Sequence, residues 1–543
     1  MAAANALPAG PPAPSRAFVP PLARHAAAAV ALAFLLLGLA TLADHGITWD
    51  ERESYRAGSQ DLRIAAAALA GRPRPSWPWH ELPGYQFAAE SLRAGFAAIV
   101  NRVFWEPGSH LGFHLFNLLA TAVVVWLAGR LAARESGLPA LGPLAALLLA
   151  LHPKLIAHSQ ANPKDGLGLL VWLLAATAVA RAARAGRGRD FALLGLALGG
   201  ALATHVGAVL LLPLALGWGM VGRLETRAGE AGGERVRPAR WLGGLALAFA
   251  LAVPTAVLLW PWLWESPLAR ARWVVEHVGG FDVAMRVLYL GETWNPTALP
   301  WHYGTVSLLI ATPVPLVLAA GLGLVAAVAP RAADGAARLA RLATLWLALV
   351  VAADLAAPAH YDGARHLLPA LPALALLGAA GLAWAAARLR VARSRRLAAA
   401  SVAALASALL VVAWQVAAVH PYQDAFLNLP ARAWLGPEAQ RRVELEYWGG
   451  SYREGAMWLR AHAPPGSLVL VPIGAHAAAP FLAGRLELVP QDAHPDDGRA
   501  QHLMLMTRRA WYTPRVREVV ATREPVFTVR RQGSTLLAIY RVR

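Results

Sequence analysis

From residue 25 to residue 418 the chain alternates long apolar runs with short clusters of arginine. A run of about 20 apolar residues is what an α-helix needs to cross the hydrocarbon layer of a bilayer. Inside that layer every backbone N–H and C=O must be satisfied within the spanning element, so only helices and closed barrels qualify. Eleven runs are read as spans, at 25–43, 111–129, 140–155, 166–183, 190–204, 206–222, 241–263, 304–329, 338–357, 367–387 and 397–418. The expected fold is therefore an all-α polytopic membrane bundle of about eleven transmembrane helices. Composition agrees: 57% of the residues are hydrophobic and 15% are charged, where a soluble domain carries roughly a quarter charged. Segment 25–43 reads as a retained span, since its apolar stretch is long for a cleaved signal.

The charge is +18, which by itself would admit a nucleic-acid partner. Its distribution excludes that reading, because the arginines fall in every second loop. Arg130 and Arg134 form one group and Arg181, Arg184, Arg187 and Arg189 the next. Arg223, Arg227, Arg235, Arg237 and Arg240 follow, then Arg331, Arg338 and Arg341, then Arg388, Arg390, Arg393, Arg395 and Arg396. This is the positive-inside pattern. With Arg16 and Arg24 in the Pro/Ala-rich tail of 1–24, it predicts a disordered cytoplasmic N-terminus and an inner-membrane protein. The opposite side then receives loops 44–110 and 264–303, two short loops, and the tail 419–543. There is no cysteine, so disulfides and thiolate chemistry are excluded.

Two external stretches have their own character. In "GYQFAAESLRAGFAAIVNRVF" (84–104), Phe87, Phe96, Ile99 and Val103 share one helical face, and Glu90, Arg93 and Arg102 lie elsewhere. That predicts an amphipathic helix on the membrane surface, with a weaker one after Glu51. In the tail, "GSLVLVPI", "QHLMLMT", "PVFTVRRQ" and "STLLAIYRV" read as strands between helices at "SYREGAMWLRAHA" and "TPRVREVVAT". The alternation predicts a small C-terminal α/β extracytoplasmic domain.

Polar residues collect in the loops on that same side. Asp50 and Glu51 follow the first span. "HPKLIAHSQANPKDG" (152–166) holds both lysines of the chain, Lys154 and Lys164, with His152, His158, Asn162 and Asp165. "HYDGARH" holds His360, Tyr361, Asp362, Arg365 and His366. Ionisable groups at span ends are functional candidates by default. A carboxylate pair supplies a general base, and Lys, Arg and His together make a polyanion site, with Arg suited to bidentate phosphate contact. A base facing a phosphate clamp suits displacement of a lipid-linked phosphate by an acceptor hydroxyl. A divalent metal on Asp50, His152 and His366 is conceivable, but no ligand spacing points to one. Lys154, at the end of the third span, reads as a snorkelling interfacial residue. Two other classes fit less well. A transporter needs charge along its spans, and the span interiors here are nearly free of it, with Asp354 the main exception. A non-catalytic assembly subunit would make Asp50 dispensable.

The ordered motifs resemble glycosyltransferase family 39, the integral-membrane C-type glycosyltransferases that include protein O-mannosyltransferases and aminoarabinose lipid A transferases. They are "WDE" after span 1, "HPKLIAHSQANPKDG", "PWHYGTVSLLIATPVPL" and "YDGARHLLPALPALALL", then "HPYQDAFLN" and "YWGGSYREGAMWL", over most of 40–460. The chain departs from the family's usual pattern in lacking an evident His-Pro-Pro segment, where "WPWHELPG" (77–84) stands, and "AFLN" replaces a commoner Tyr-Phe-Asn. The resemblance implies a C-type glycosyltransferase fold and a polyprenyl-phosphate sugar donor, used at the periplasmic face with inversion. The acceptor would be a hydroxyl of a protein, lipid or glycan. By the same resemblance Asp50 matches the catalytic aspartate, and Glu51 orients the acceptor or Asp50's neighbours. Loop position and chemistry nominate Lys164, Arg365 and His366 for the donor phosphate. Asp165, Asn162, His152, Asp362 and Tyr361 are the substrate-contacting candidates. A ligase or polymerase using a pyrophosphate-linked glycan would need the same clamp.

Overall fold

The structure is a computed structural model that describes residues 21–73, 87–106, 109–160, 165–227, 237–279, 285–329, 335–391, 395–489 and 499–543. Helix α1 (Pro21–Ala40) leads to α2 (Glu51–Leu69) and α3 (Phe87–Phe104), which pack on each other outside the bundle. The bundle continues with α4 (Leu111–Ser136), α5 (Leu141–Ala150), α6 (Pro153–Gln160), α7 (Asp165–Ala185) and α8 (Gly188–Leu202). Next come α9 (Leu211–Arg227) and α10 (Pro238–Leu258), then α11 (Pro267–Gly279) and a hairpin of β1 (Val287–Tyr289) and β2 (Glu292–Trp294). Helices α12 (Tyr303–Ala311), α13 (Val314–Val328), α14 (Gly335–Leu355), α15 (Ala370–Val391) and α16 (Arg395–Ala418) complete the membrane part.

Each of the eleven apolar runs is helical, though not every one forms a single helix of spanning length. Among the described residues six helices are long and apolar enough to cross a membrane, or up to eight if each of two bent pairs is one span. The chain is thus a multi-pass membrane protein. Apolar helices of less than spanning length occupy His25–Ala40 and Gly207–Val221, and α8 has only 15 residues. The run at 190–222 does break at Thr204-His205, where the His205 ring accepts the Gly207 N–H at 3.0 Å.

The bends have a local cause. Proline lacks an N–H and pushes the preceding residue out of the helical region. Pro153 follows the break between α5 and α6, which turn by 66°, and Pro313 follows the break between α12 and α13, which turn by 117°. Thr312 is accordingly extended, at φ −93° and ψ 129°. Runs 140–155 and 304–329, each read as one span, are therefore each two helices with a bend between them.

Lipid tails are as apolar as leucine, so membrane helices associate through close backbone approach at small residues. That is how α13 meets α15: a Cβ on Gly381 would enter the backbone of Gly323, and a Cβ on Gly323 would enter the Leu377 carbonyl. At the arginine-rich end, Glu135 of α4 is buried and takes Arg184 at 2.6 Å and Arg338 at 3.5 Å, tying α7 and α14 to α4.

The amphipathic pair differs from its sequence reading in one respect. Ile99 and Val103 of α3 are exposed, as a membrane-facing stripe requires, but Glu90 and Arg93 are buried rather than solvated, with Arg93 over the Phe113 ring of α4 at 4.3 Å. Beyond the bundle lie α17 (Leu429–Leu435), α18 (Tyr452–His462), β3 (Leu468–Leu470), α19 (Ala475–Leu482) and β4 (Glu487–Leu488). They are followed by β5 (His502–Met506), α20 (Pro514–Thr522), β6 (Phe527–Arg531) and β7 (Ser534–Arg541). The sheet runs β4-β3-β5-β7-β6, with β3 parallel to both neighbours and the remaining pairs antiparallel. Its core includes Val287, Tyr289 and Tyr303, so the β1–β2 hairpin and the head of α12 belong to the same packed unit.

Candidate functional site

Thr48-Trp49-Asp50-Glu51 has the Thr-x-x-Glu spacing of a capping box. Glu51 Oε1 accepts the Thr48 N–H at 2.9 Å and its hydroxyl at 2.7 Å, and it also meets His114 Nε2 of α4 at 3.0 Å. Burial alone would raise the Glu51 pKa, but His114 outweighs it and the carboxyl is held below its ordinary value. Glu51 is thus committed to its own turn and to α4. Its neighbour Asp50 turns the other way, with Oδ2 3.3 Å from Arg365 Nη2.

Arg365 is the hub. It meets Asp50, Asp165 at 3.7 Å through Nε, and Asp362 at 2.9 Å through Nη1, and it lies 4.5 Å from the centroid of the Trp448 ring. Burial opposes its charge, but Asp165, Asp50 and Asp362 outweigh burial and hold the guanidinium ionised well above its usual range. Asp362 sits at φ 55°, a left-handed conformation that Asp tolerates better than most residues. That turn sets its carboxylate between two arginines, Arg365 on one oxygen and Arg508 of the C-terminal unit on the other at 2.9 Å.

A second chain of contacts starts at Asp165. Its Oδ2 pairs with His158 Nδ1 at 2.7 Å, and His158 Nε2 faces Asp424 at 3.7 Å. Asp424 takes Lys154 Nζ at 2.5 Å and the Tyr447 hydroxyl at 3.2 Å. Lys154 is therefore not a snorkelling interfacial residue: it is 5% exposed and paired with a carboxylate supplied from "HPYQDAFLN". His152 is also occupied by the protein. Its Nδ1 accepts the Lys154 N–H at 3.2 Å, so Nε2 donates to Thr312 Oγ1 at 3.2 Å, pinning one helix bend on the other. Asn428 holds the same bend, donating to the Leu309 and Thr312 carbonyls.

The C-terminal unit closes the site. Trp448 accepts the Trp49 N–H at 2.8 Å through its carbonyl, beside Asp50. Arg508 also faces Glu444 at 3.6 Å; burial pushes that carboxyl up to about 7 against the pull of Arg508. A narrow pocket runs beside these groups, lined among others by Lys154, Tyr303, Asp424, Glu444 and Tyr447.

Of the candidates read from sequence, the structure brings together Asp50, Asp165, Asp362 and Arg365. Tyr361 and His366 stand beside this cluster, their rings edge-on at 4.7 Å between centroids and both within the field of Arg365 and Asp165. Lys164, Asn162 and the 77–84 segment lie outside the described residues. Lys154, His158, Asp424, Tyr447, Trp448, Glu444 and Arg508 join the site from positions that received no site role. The ordered motifs contain Lys154, His158, Asp424, Tyr447 and Trp448, whereas Glu444 and Arg508 lie outside them. Among the described residues no group of three His, Asp or Glu side chains could hold a metal ion, so Asp50, His152 and His366 do not form one.

Fold and site together describe a multi-pass membrane protein with a buried arginine–carboxylate cluster where the bundle meets an α/β unit. Residues 94–260 are similar to the family described as dolichyl-phosphate-mannose-protein mannosyltransferase. No curated relative matches the chain. Among solved structures, ArnT from Cupriavidus metallidurans bound to undecaprenyl phosphate is 15% identical with a TM-score of 0.47, over 94% of this chain and 97% of that one. The archaeal oligosaccharyltransferase AglB from Archaeoglobus fulgidus, in complex with an inhibitory peptide and a dolichol-phosphate, is 11% identical with a TM-score of 0.47, over 90% of this chain and 70% of that one.

Proposed function

We propose that this protein transfers a sugar from a polyprenyl-phosphate donor to an acceptor hydroxyl, with inversion, at the periplasmic face of a bacterial inner membrane. The observation that carries this reading is the Asp50–Arg365 pair, 3.3 Å apart and only partly exposed, in which one arginine faces three carboxylates. The similarity of residues 94–260 to a family named for transfer from a lipid phosphate supports the donor class.

Asp50 removes the proton from the acceptor hydroxyl as its oxygen attacks the anomeric carbon. The bond to the phosphate oxygen breaks with its electron pair remaining on the phosphate, and the proton stays on Asp50. Base and leaving group lie on opposite faces of the sugar. Arg365 holds Asp50 in place at 3.3 Å. Carboxylates outnumber fixed cations in the described cluster, so a phosphate needs added positive charge. Lys164, one residue from Asp165, is the group proposed to supply it, stabilising the charge that develops on the leaving phosphate.

The test is a transfer assay on the purified chain with a panel of radiolabelled polyprenyl-phosphate sugars and a membrane extract as acceptor. Label leaving one donor for an acceptor establishes the reaction and names the sugar. Consumption of a pyrophosphate-linked glycan instead would make the enzyme a ligase or polymerase. With no donor consumed, the reading falls and solute transport is tested next.

A further inference from the structure

The C-terminal unit reaches both members of the Asp50–Arg365 pair through their neighbours, Trp49 on one side and Asp362 on the other. Arg508, between β5 and α20, is 4% exposed and reaches Asp362 at 2.9 Å and Glu444 at 3.6 Å. With one Asp362 oxygen on Arg508, the other is presented to Arg365 at 2.9 Å. On the other side, His476 of α19 hydrogen-bonds the Trp49 carbonyl at 2.7 Å, its ring edge-on to the Trp49 indole. The Trp49 N–H is held by the Trp448 carbonyl at 2.8 Å. Trp49 thus has both backbone groups tied down by the C-terminal unit, and Asp50 follows directly. The approach is tight: Gly474 has φ +65°, and a Cβ there would lie 2.8 Å from the Trp49 ring.

We infer that the C-terminal sheet fixes the geometry of the catalytic pair, with Arg508 as the positioning residue for Arg365 and His476 as the positioning residue for Asp50. The kinetic consequence rests on the glycosyl-transfer reading; the positional one does not. A misplacement of about 1 Å at reacting groups can cost on the order of 100-fold in rate. Lysine at 508 keeps the charge but loses the planar fork that spans two carboxylates.

The experiment uses the full chain in nanodiscs, as wild type, Arg508→Lys and His476→Ala. Arg365 reactivity toward phenylglyoxal is quantified by mass spectrometry, with the half-exposed Arg181 (43%) as internal control. Hydrogen exchange is followed at the segment around Trp49. Arg508→Lys is expected to speed labelling of Arg365 at least fivefold with Arg181 unchanged, and His476→Ala to speed exchange at Trp49. Where transfer is measurable, kcat should fall about 100-fold in Arg508→Lys with the donor KM within threefold. A merely structural role would instead lower the folded fraction and leave kcat per folded molecule intact. Wild-type labelling and exchange in both variants would overturn the inference whatever transfer shows. A wild type that consumes no donor would overturn the functional reading alone. If Arg508→Lys does not fold, Arg508→Met combined with Glu444→Gln removes both charges of the buried Arg508–Glu444 pair and is read in the same way.

Discussion

At Arg365, one guanidinium meets three carboxylates at 2.9, 3.3 and 3.7 Å, and that ratio decides what its neighbours must do. It serves as an anchor for Asp50, and the donor phosphate calls for a separate cation. Lys164→Gln is expected to weaken donor binding at least tenfold while the acceptor KM stays within twofold, measured by donor titration in equilibrium and kinetic assays. Unchanged donor affinity would move the phosphate contact to Arg365. Lys154 has a different part. Removing one member of a buried ion pair typically costs about 3–5 kcal/mol, because the other charge is left uncompensated. Lys154→Met should therefore lower the thermal unfolding midpoint of the purified protein, and adding Asp424→Asn should restore part of the loss. The sequence reading of Lys154 as a snorkelling residue failed because its partner, Asp424, lies 270 positions away, and no local pattern marks that pairing. Asp50 and Arg365 could be nominated from sequence because both lie in loops flanking apolar runs, where a charge is a functional candidate by default.

At the scale of elements, periodicity and apolar length located the helices, and proline chemistry set the limits of that reading. Pro153 and Pro313 stand in the sequence as plain signals, yet a hydropathy pattern runs across both, so two broken helices read as continuous. The pairing of α2 and α3 was equally hidden, since a charged residue on an amphipathic helix reads as solvated. Asp61 of α2 is 2% exposed, and burial, with the charge of Glu90 adding to it, pushes its carboxyl from 3.8 up to about 8. Between those values the folded protein holds a proton that the unfolded chain has lost, so stability falls as pH rises across that window. Asp61→Asn should flatten this dependence and make the protein more stable than wild type at pH above about 8. Unfolding midpoints from acid to mildly alkaline pH check this; parallel curves for the two proteins would contradict it.

For the whole molecule, the elements of the C-terminal unit could be read from alternation, but its docking could not, because Arg508 and His476 carry no local sign of what they touch. The arginine pattern predicts an orientation that is directly measurable. The chain has no cysteine, so single substitutions report cleanly. Arg187→Cys should react with a membrane-impermeant maleimide only after permeabilisation, and Arg485→Cys should react in intact cells whose outer membrane is opened. The reverse pattern would place the site on the cytoplasmic side. The most direct test of Asp50 as the base is a single-turnover measurement, with radiolabelled donor bound to the protein before acceptor is added. The expected result is that Asp50→Asn binds donor within a few-fold of wild type and transfers label on the order of 1,000-fold more slowly; transfer at the wild-type rate in that variant would contradict Asp50 as the base.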